Sequence, residues 1–276
     1  MNGIIDGLKG QYFTRMARWG WTFLVGLFFC LGLNVSIHAQ SSALDSFALP
    51  DAAVHPLPPS LQNLSLTTDG DDYFDLVQPS PLGHLVWSQF PVKVYLDTPQ
   101  NLTPDSAEAK RRQIWQTAIK TAIADWQQFF PLVIIGESDQ ADILVAYREP
   151  PLNRKIDPQT GLITFGPART AQARYEFYWS EETPPRLRHR MTIEIKPGLG
   201  AISLQATARH ELGHALGIWG HSDRQADALY PSQTRDVPPI SQRDLNTLLR
   251  IYQQPTRLGW PRPSVSNDHD GYRRRH

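Results

Sequence analysis

The chain is nearly devoid of cysteine: Cys30 is the only one in 276 residues. An intrachain disulfide framework is excluded, so an apolar core has to hold the fold. Neither charge is in excess, with 27 basic and 27 acidic residues. Without a field of one sign, nothing draws the protein to nucleic acid or to an anionic membrane surface. Internal repeats and coiled-coil heptads are also missing, which argues against a solenoid or a long rod. What the chain does have is 41% apolar residues, enough for a sizeable core in one or two domains. Its eight tryptophans read as packing residues rather than as a binding platform.

Lys9, Arg15 and Arg18 precede an apolar run from Trp19 to about Leu33. Positive charge before such a run marks residues 1–39 as a signal peptide with a cleavage site near Ala39, or as an uncleaved anchor with the remainder outside. Cys30 lies inside the run, so the exported part carries no thiol. Over residues 40–84 the composition shifts to Ser, Pro, Asp and Leu, and Pro50, Pro56, Pro58 and Pro59 interrupt regular structure. This stretch reads as an irregular spacer or a short pro-segment. Residues 255–276, ending in Arg273-Arg274-Arg275, read as a disordered polar tail.

The chemistry is concentrated in HELGHALGIWGH, residues 210–221. On a helix His210 and His214 stand one turn apart on one face, so their imidazoles can converge on one metal ion. Glu211, next to the first histidine, is placed to hold water rather than metal. Zinc lowers the pKa of its water from roughly 16 toward about 7, and a carboxylate can then take the proton. The context is helical. Ser203 is a candidate N-cap, Leu204 to Leu216 contains no proline, and Leu204, Ala208, Leu212 and Ala215 supply an apolar face. Gly217 stands where the helix must stop, and His221 returns just beyond it.

His210, Glu211, His214 and Gly217 resemble the metzincin metallopeptidase pattern HExxHxxGxxH, in its matrixin-like branch. Gly220 makes the last interval one residue longer than that pattern. The resemblance carries the third-ligand role to His221, with Gly220 expected to absorb the altered path, and leaves Asp223 as the fallback ligand. Ala228-Leu229-Tyr230-Pro231 resembles the turn in which the family places methionine before Tyr-Pro. Leu229 is expected to replace that methionine as an apolar floor. Latency through a propeptide thiolate is excluded, because no cysteine is available for it. The family's additional structural zinc and calcium ions are not supported, since residues 148–189 hold no cluster of histidines and aspartates.

The remaining elements fit around the motif. Trp87 to Asp97 reads as a half-buried strand with Val92, Val94 and Leu96 inward. Thr103-Pro104 reads as the start of a helix carrying Ile114, Trp115, Ala118, Ile119, Ala122, Ile123 and Trp126 on one face. Leu132–Ile135, Ile143–Tyr147, Ala173–Trp179 and Met191–Lys196 read as strands, and His189, between two arginines, as an exposed loop residue. His38, His55, His84, His269 and His276 show no ligand spacing. Ser241 and Asp244 resemble a capping box, opening a helix whose stripe is Leu245, Leu248, Leu249 and Tyr252.

The order of elements, taken with the resemblance, implies an α+β domain over residues 85–254. In it a twisted mixed sheet packs on two long helices, above a small helical C-terminal part, with a zinc cleft between. The function implied is a zinc-dependent endopeptidase holding one catalytic Zn²⁺ on His210, His214 and His221, with Glu211 as general base. Its partner is a peptide or protein substrate, laid antiparallel along an edge strand near Ala171 to Trp179. The protein is expected to be a secreted or extracytoplasmic monomer, touching membrane only through an uncleaved N-terminal segment. Two rivals are a zinc-stabilised binding protein without turnover and a metal-free surface protein.

Overall fold

A computed structural model of the chain describes residues 48–64, 71–152, 154–166, 168–232 and 237–264. The expected signal peptide or anchor lies outside the described residues. Among those described, no helix is long and apolar enough to cross a membrane.

Five strands form one sheet: β1 (Val92–Asp97), β2 (Leu132–Ile135), β3 (Ile143–Tyr147), β6 (Ala171–Trp179) and β7 (Leu187–Ile195). A separate hairpin, β4 (Arg154–Ile156) with β5 (Ile163–Phe165), interrupts the connection from β3 to β6. The order in the large sheet is β2-β1-β3-β7-β6. All neighbours run parallel except β6, which pairs antiparallel with β7 and forms one edge. Two long helices share the core with these strands: α1 (Ala107–Gln127) and α2 (Ala201–Ala215). A third, α3 (Gln242–Tyr252), closes the C-terminal part. This is the mixed sheet on two helices that the order of elements implied.

Local sequence explains most of this. Val92 and Val94 are fully buried on β1, as alternation requires. On α1 the stripe Trp115, Ala118, Ile119, Ala122, Ile123 and Trp126 faces the core. Trp126 Nε1–H donates to Arg209 O at 2.9 Å, and Arg209 pairs with Asp125, so the two long helices are locked together by polar as well as apolar contacts. The capping box of α3 is present as expected, with Ser241 and Asp244 exchanging bonds with each other's backbone N–H.

Several expectations need correction. The helix α1 starts at Ala107 with Ser106 as its cap, not at Thr103-Pro104, because the Ser106 hydroxyl accepts the Ala109 N–H at 3.1 Å. Ile114 is exposed, since it lies beside the buried stripe rather than in it. The helix α2 starts at Ala201 after Gly200, so Ser203 lies inside its first turn instead of capping it. His189 is not in an exposed loop. It sits on β7 and alternates inward with Leu187 and Met191, its ring 3.9 Å from that of Trp87.

The largest correction concerns the two flanking segments. The described part of the expected spacer is built into the body, with Leu61, Tyr73, Val77 and Leu82 all buried. The described part of the expected tail is also ordered: Thr256 and Leu258 are buried, and Thr256 bridges both Ala53 and Gly83. His55 stacks on Trp260 at 4.1 Å and bonds Leu258 O through Nε2 at 2.7 Å. Burial of these apolar side chains, spread thinly through polar sequence, is what builds the described parts of both flanks into the body.

Candidate metal centre

The helix α2 presents His210, Glu211 and His214 in its last two turns. It ends at Leu216, and Gly217 then adopts φ 125°, in the left-handed region that favours glycine. A side chain there would also stand 2.5 Å from Leu85 O, so the reversal passes hard against the chain entering β1. The path returns through Ile218, Trp219 and Gly220 to His221.

The three histidines meet, with one ring nitrogen from each lying within 4.8 Å of the others. Ring centroids stand 4.7 Å apart for His210 and His214, 5.2 Å for His210 and His221, and 4.9 Å for His214 and His221. His210 Nδ1 bonds Ala228 O at 3.0 Å, and His214 Nδ1 bonds Ile218 O at 2.7 Å. A carbonyl can only accept, so each Nδ1 carries the proton and each Nε2 presents a lone pair. Those two Nε2 atoms are 3.1 Å apart. Donors around a tetrahedral zinc, with Zn–N near 2.0–2.1 Å, stand about 3.3 Å from one another. Lone pairs facing each other repel unless a cation lies between them, so the donor set fits a zinc ion.

Electrostatics agree. Burial, with help from the neighbouring His221, pulls His210 down to about 4. Burial likewise drives His214 well below the ordinary imidazole value and lowers His221. All three are neutral at neutral pH, the state a ligand needs. Burial pushes the Glu211 carboxyl up to about 7, against the Ala173 N–H and the Arg169 charge, which favour its ionised form. Asp223 is not in the cluster: it is held by Arg243 at 3.0 Å, which removes it as the fallback ligand.

The turn around Leu229 supports the histidines from below. Leu229 is fully buried, and a Cβ on Gly213 would stand 2.5 Å from its Cδ2, so the side chain presses directly on α2. Ala228 supplies the carbonyl that orients His210, and its own N–H is held by Asp244 at 2.9 Å. Ser222 N–H donates to Leu229 O at 3.0 Å, tying the loop of His221 to the same turn. Leu229 thus packs on the ligand-bearing helix next to His214, and Gly213 makes room for it.

Beside the trio runs the edge strand β6. Lys196 N–H donates to Thr170 O and Ser180 N–H to Arg186 O, in register with the β6–β7 ladder. Alternation then leaves the backbone groups of Ala171, Ala173, Tyr175, Phe177 and Trp179 pointing away from β7. The Ala173 N–H is the one that reaches Glu211.

Four participants were not legible in the sequence. Trp219 packs between His214 and Tyr175, at 5.7 Å and 5.0 Å between centroids. Asp244, Arg243 and the chain around Tyr73 brace the loop from a distance. The capping-box position of Asp244 was the only signal for any of them.

A sheet backed by two helices, with a helix-borne HExxH and a returning histidine at one point, defines a protein of the metzincin type. The matrixin family model matches residues 100–253, more than half of the chain, and the chain belongs to the matrixin family, a family of metallopeptidases. No curated protein matches it.

Proposed function

We propose that the protein is an exported zinc endopeptidase. The convergence of three neutral imidazoles beside a carboxyl that also contacts an open strand edge carries this reading. His210, His214 and His221 would hold the ion through ring nitrogens that face one another. Zinc, when bound, supplies Lewis acidity for polarising a carbonyl and easing deprotonation of water. Glu211 takes a proton from that water and returns it to the leaving amine. The outward backbone groups of β6 other than the Ala173 N–H, which Glu211 takes, bind an extended substrate antiparallel, by adding a strand to the sheet. Contact between Glu211 and Ala173 sets the carboxyl against that strand, so the bond to be cut is aligned with the base.

Export is supported by Lys9, Arg15 and Arg18 ahead of the apolar run, and by the absence of any thiol after Cys30. The balance of charges supports a protein substrate over nucleic acid. Purified protein is expected to hold one zinc and to cleave members of a peptide library. Glu211→Gln should keep that zinc while cleavage falls by about 10²–10⁴-fold. Undiminished cleavage by this variant would refute the assignment of the base; bound zinc with no cleavage by the parent would favour the binding-protein alternative.

A further inference from the structure

The extra residue in the ligand interval has a structural partner. Gly220 forms an antiparallel bridge with Val77, and Gln78 N–H donates to Trp219 O at 3.0 Å. The backbone of Gly220 is not in the left-handed region, so conformational freedom does not explain the glycine. Close approach does. A Cβ there would stand 2.3 Å from Leu76 O and 2.8 Å from Val77 Cα. Only a glycine lets the two chains lie this near.

Residues 71–78 are themselves fixed on α3. Tyr73 is buried, its N–H donates to Thr247 Oγ1 at 3.0 Å and its hydroxyl donates to Asp244. Asp72 takes Arg250 at 2.8 and 2.9 Å, and Asp71 takes Arg243 at 3.1 Å. Arg243 also reaches Ser222 at 3.1 Å and Asp223 at 3.0 Å, on the far side of His221. The loop of His221 is therefore gripped before the ligand by the bridge at Gly220 and after it by Arg243.

We propose that residues 71–78 are a resident strap that positions His221 as a ligand, and that the lengthened interval exists to receive it. This rests on the reading that His210, His214 and His221 hold zinc. Two consequences follow. The strap cannot be a removable pro-segment, so any maturation cut must fall before Asp71. And shortening the interval to the usual length damages the site instead of repairing it.

The test uses Gln78→Pro, which removes the N–H given to Trp219 O, with Gln78→Ala as the control that keeps it. Val77 is extended, with φ −88° and ψ 130°, so its backbone accepts a following proline. A second variant deletes Gly220. Zinc dissociation constants are measured by chelator competition, and amide exchange of Trp219 to Ser222 is followed in the metal-free protein. Gln78→Pro and the deletion should each weaken zinc binding by about 10–100-fold, the usual cost of losing a group that orients a ligand. Gln78→Ala should bind like the parent. In metal-free Gln78→Pro protein, exchange should quicken in the loop and stay unchanged in α2. A deletion variant that binds zinc as tightly as the parent overturns the proposal, as does Gln78→Pro with parental exchange. The variants act from opposite sides of the bridge, so if one does not fold the other decides. Should the parent hold no zinc and cleave nothing, the functional reading fails, and the exchange measurement alone decides on the strap.

Discussion

The site has two halves built by different means. The helix half, His210 to Gly217, is encoded where it stands: spacing places the ligands, and the backbone ladder of α2 holds them. The loop half, Ile218 to Leu229, has no ladder of its own. It is held by distant parts of the chain, through Val77 and Gln78 on one side and Arg243 and Asp244 on the other. Yet both halves must deliver nitrogen atoms to one point within a few tenths of an ångström. Precision in the first is local and in the second is borrowed, so damage far from the metal should register only in the loop.

The largest effect expected is on the ligands themselves. His214→Ala and His221→Ala should each lose stoichiometric zinc, whereas Asp223→Ala should retain it, because Asp223 spends its carboxylate on Arg243 at an exposed position. The halves should separate in the metal-free proteins. Removing His214 deletes a buried side chain and its bond to Ile218 O, one of two ties from the helix half to the loop, the other being His210 to Ala228 O. Removing His221 deletes a partly exposed ring that packs against its fellow ligands. Metal analysis and thermal unfolding of the three variants test this. An Asp223→Ala protein without zinc, beside a His221→Ala protein that keeps it, would reverse the ligand assignment.

Next comes Arg243→Met. Arg243 joins the strap to the loop, and its closest partner, Asp227, is 2% exposed. Breaking a buried ion pair from one side costs about 3–5 kcal/mol, because the remaining charge is stranded. The lower end applies, since Ser222 Oγ–H still donates to Asp227. Urea unfolding of the metal-free variant measures the loss. Amide exchange should show it concentrated between His221 and Leu229, with α2 little changed; an even loss across both halves would abolish the distinction drawn here.

The same division explains what could be read from the sequence. His210, Glu211 and His214 were legible because a four-residue spacing is a complete geometric instruction once the helix exists. The strands were legible where alternation was clean, as in Val92 and Val94. His221 needed the family resemblance, because nothing between Gly217 and His221 specifies a path. Gly220 was read as a flexible insert and proved to be a point of contact. The strap carries no periodic signal at all: Asp71 and Arg243 meet across 172 residues of chain, and each looks like an ordinary surface charge in its own neighbourhood. Helix starts were misplaced for a related reason, since Ser106 and Thr103 are both capping residues, and the proline after Thr103 drew the start three residues too early.

At neutral pH His189 offers the smallest effect, and it is a control on both halves. Its flanking arginines suggested exposure, but the alternation of β7 turns it inward against Trp87. Burial lowers its pKa to about 3, from an ordinary value of 6.5. The unfolded chain therefore binds a proton below about pH 6.5 that the folded protein refuses. Stability is fully present above 6.5 and falls by about 1.4 kcal/mol per pH unit as the pH drops toward 3. Carboxylates protonate in the same range, so the parent's curve alone does not isolate the histidine. His189→Phe does, because it keeps a flat ring against Trp87 and has no proton to gain. Nε2 has no partner to lose. Subtracting the two stability curves between pH 7 and pH 4 should leave the slope of one group, while zinc affinity at pH 7 is equal in both proteins. A flat difference would place His189 in contact with water. A changed zinc affinity would mean that the sheet, as well as the strap, helps to place the ligands.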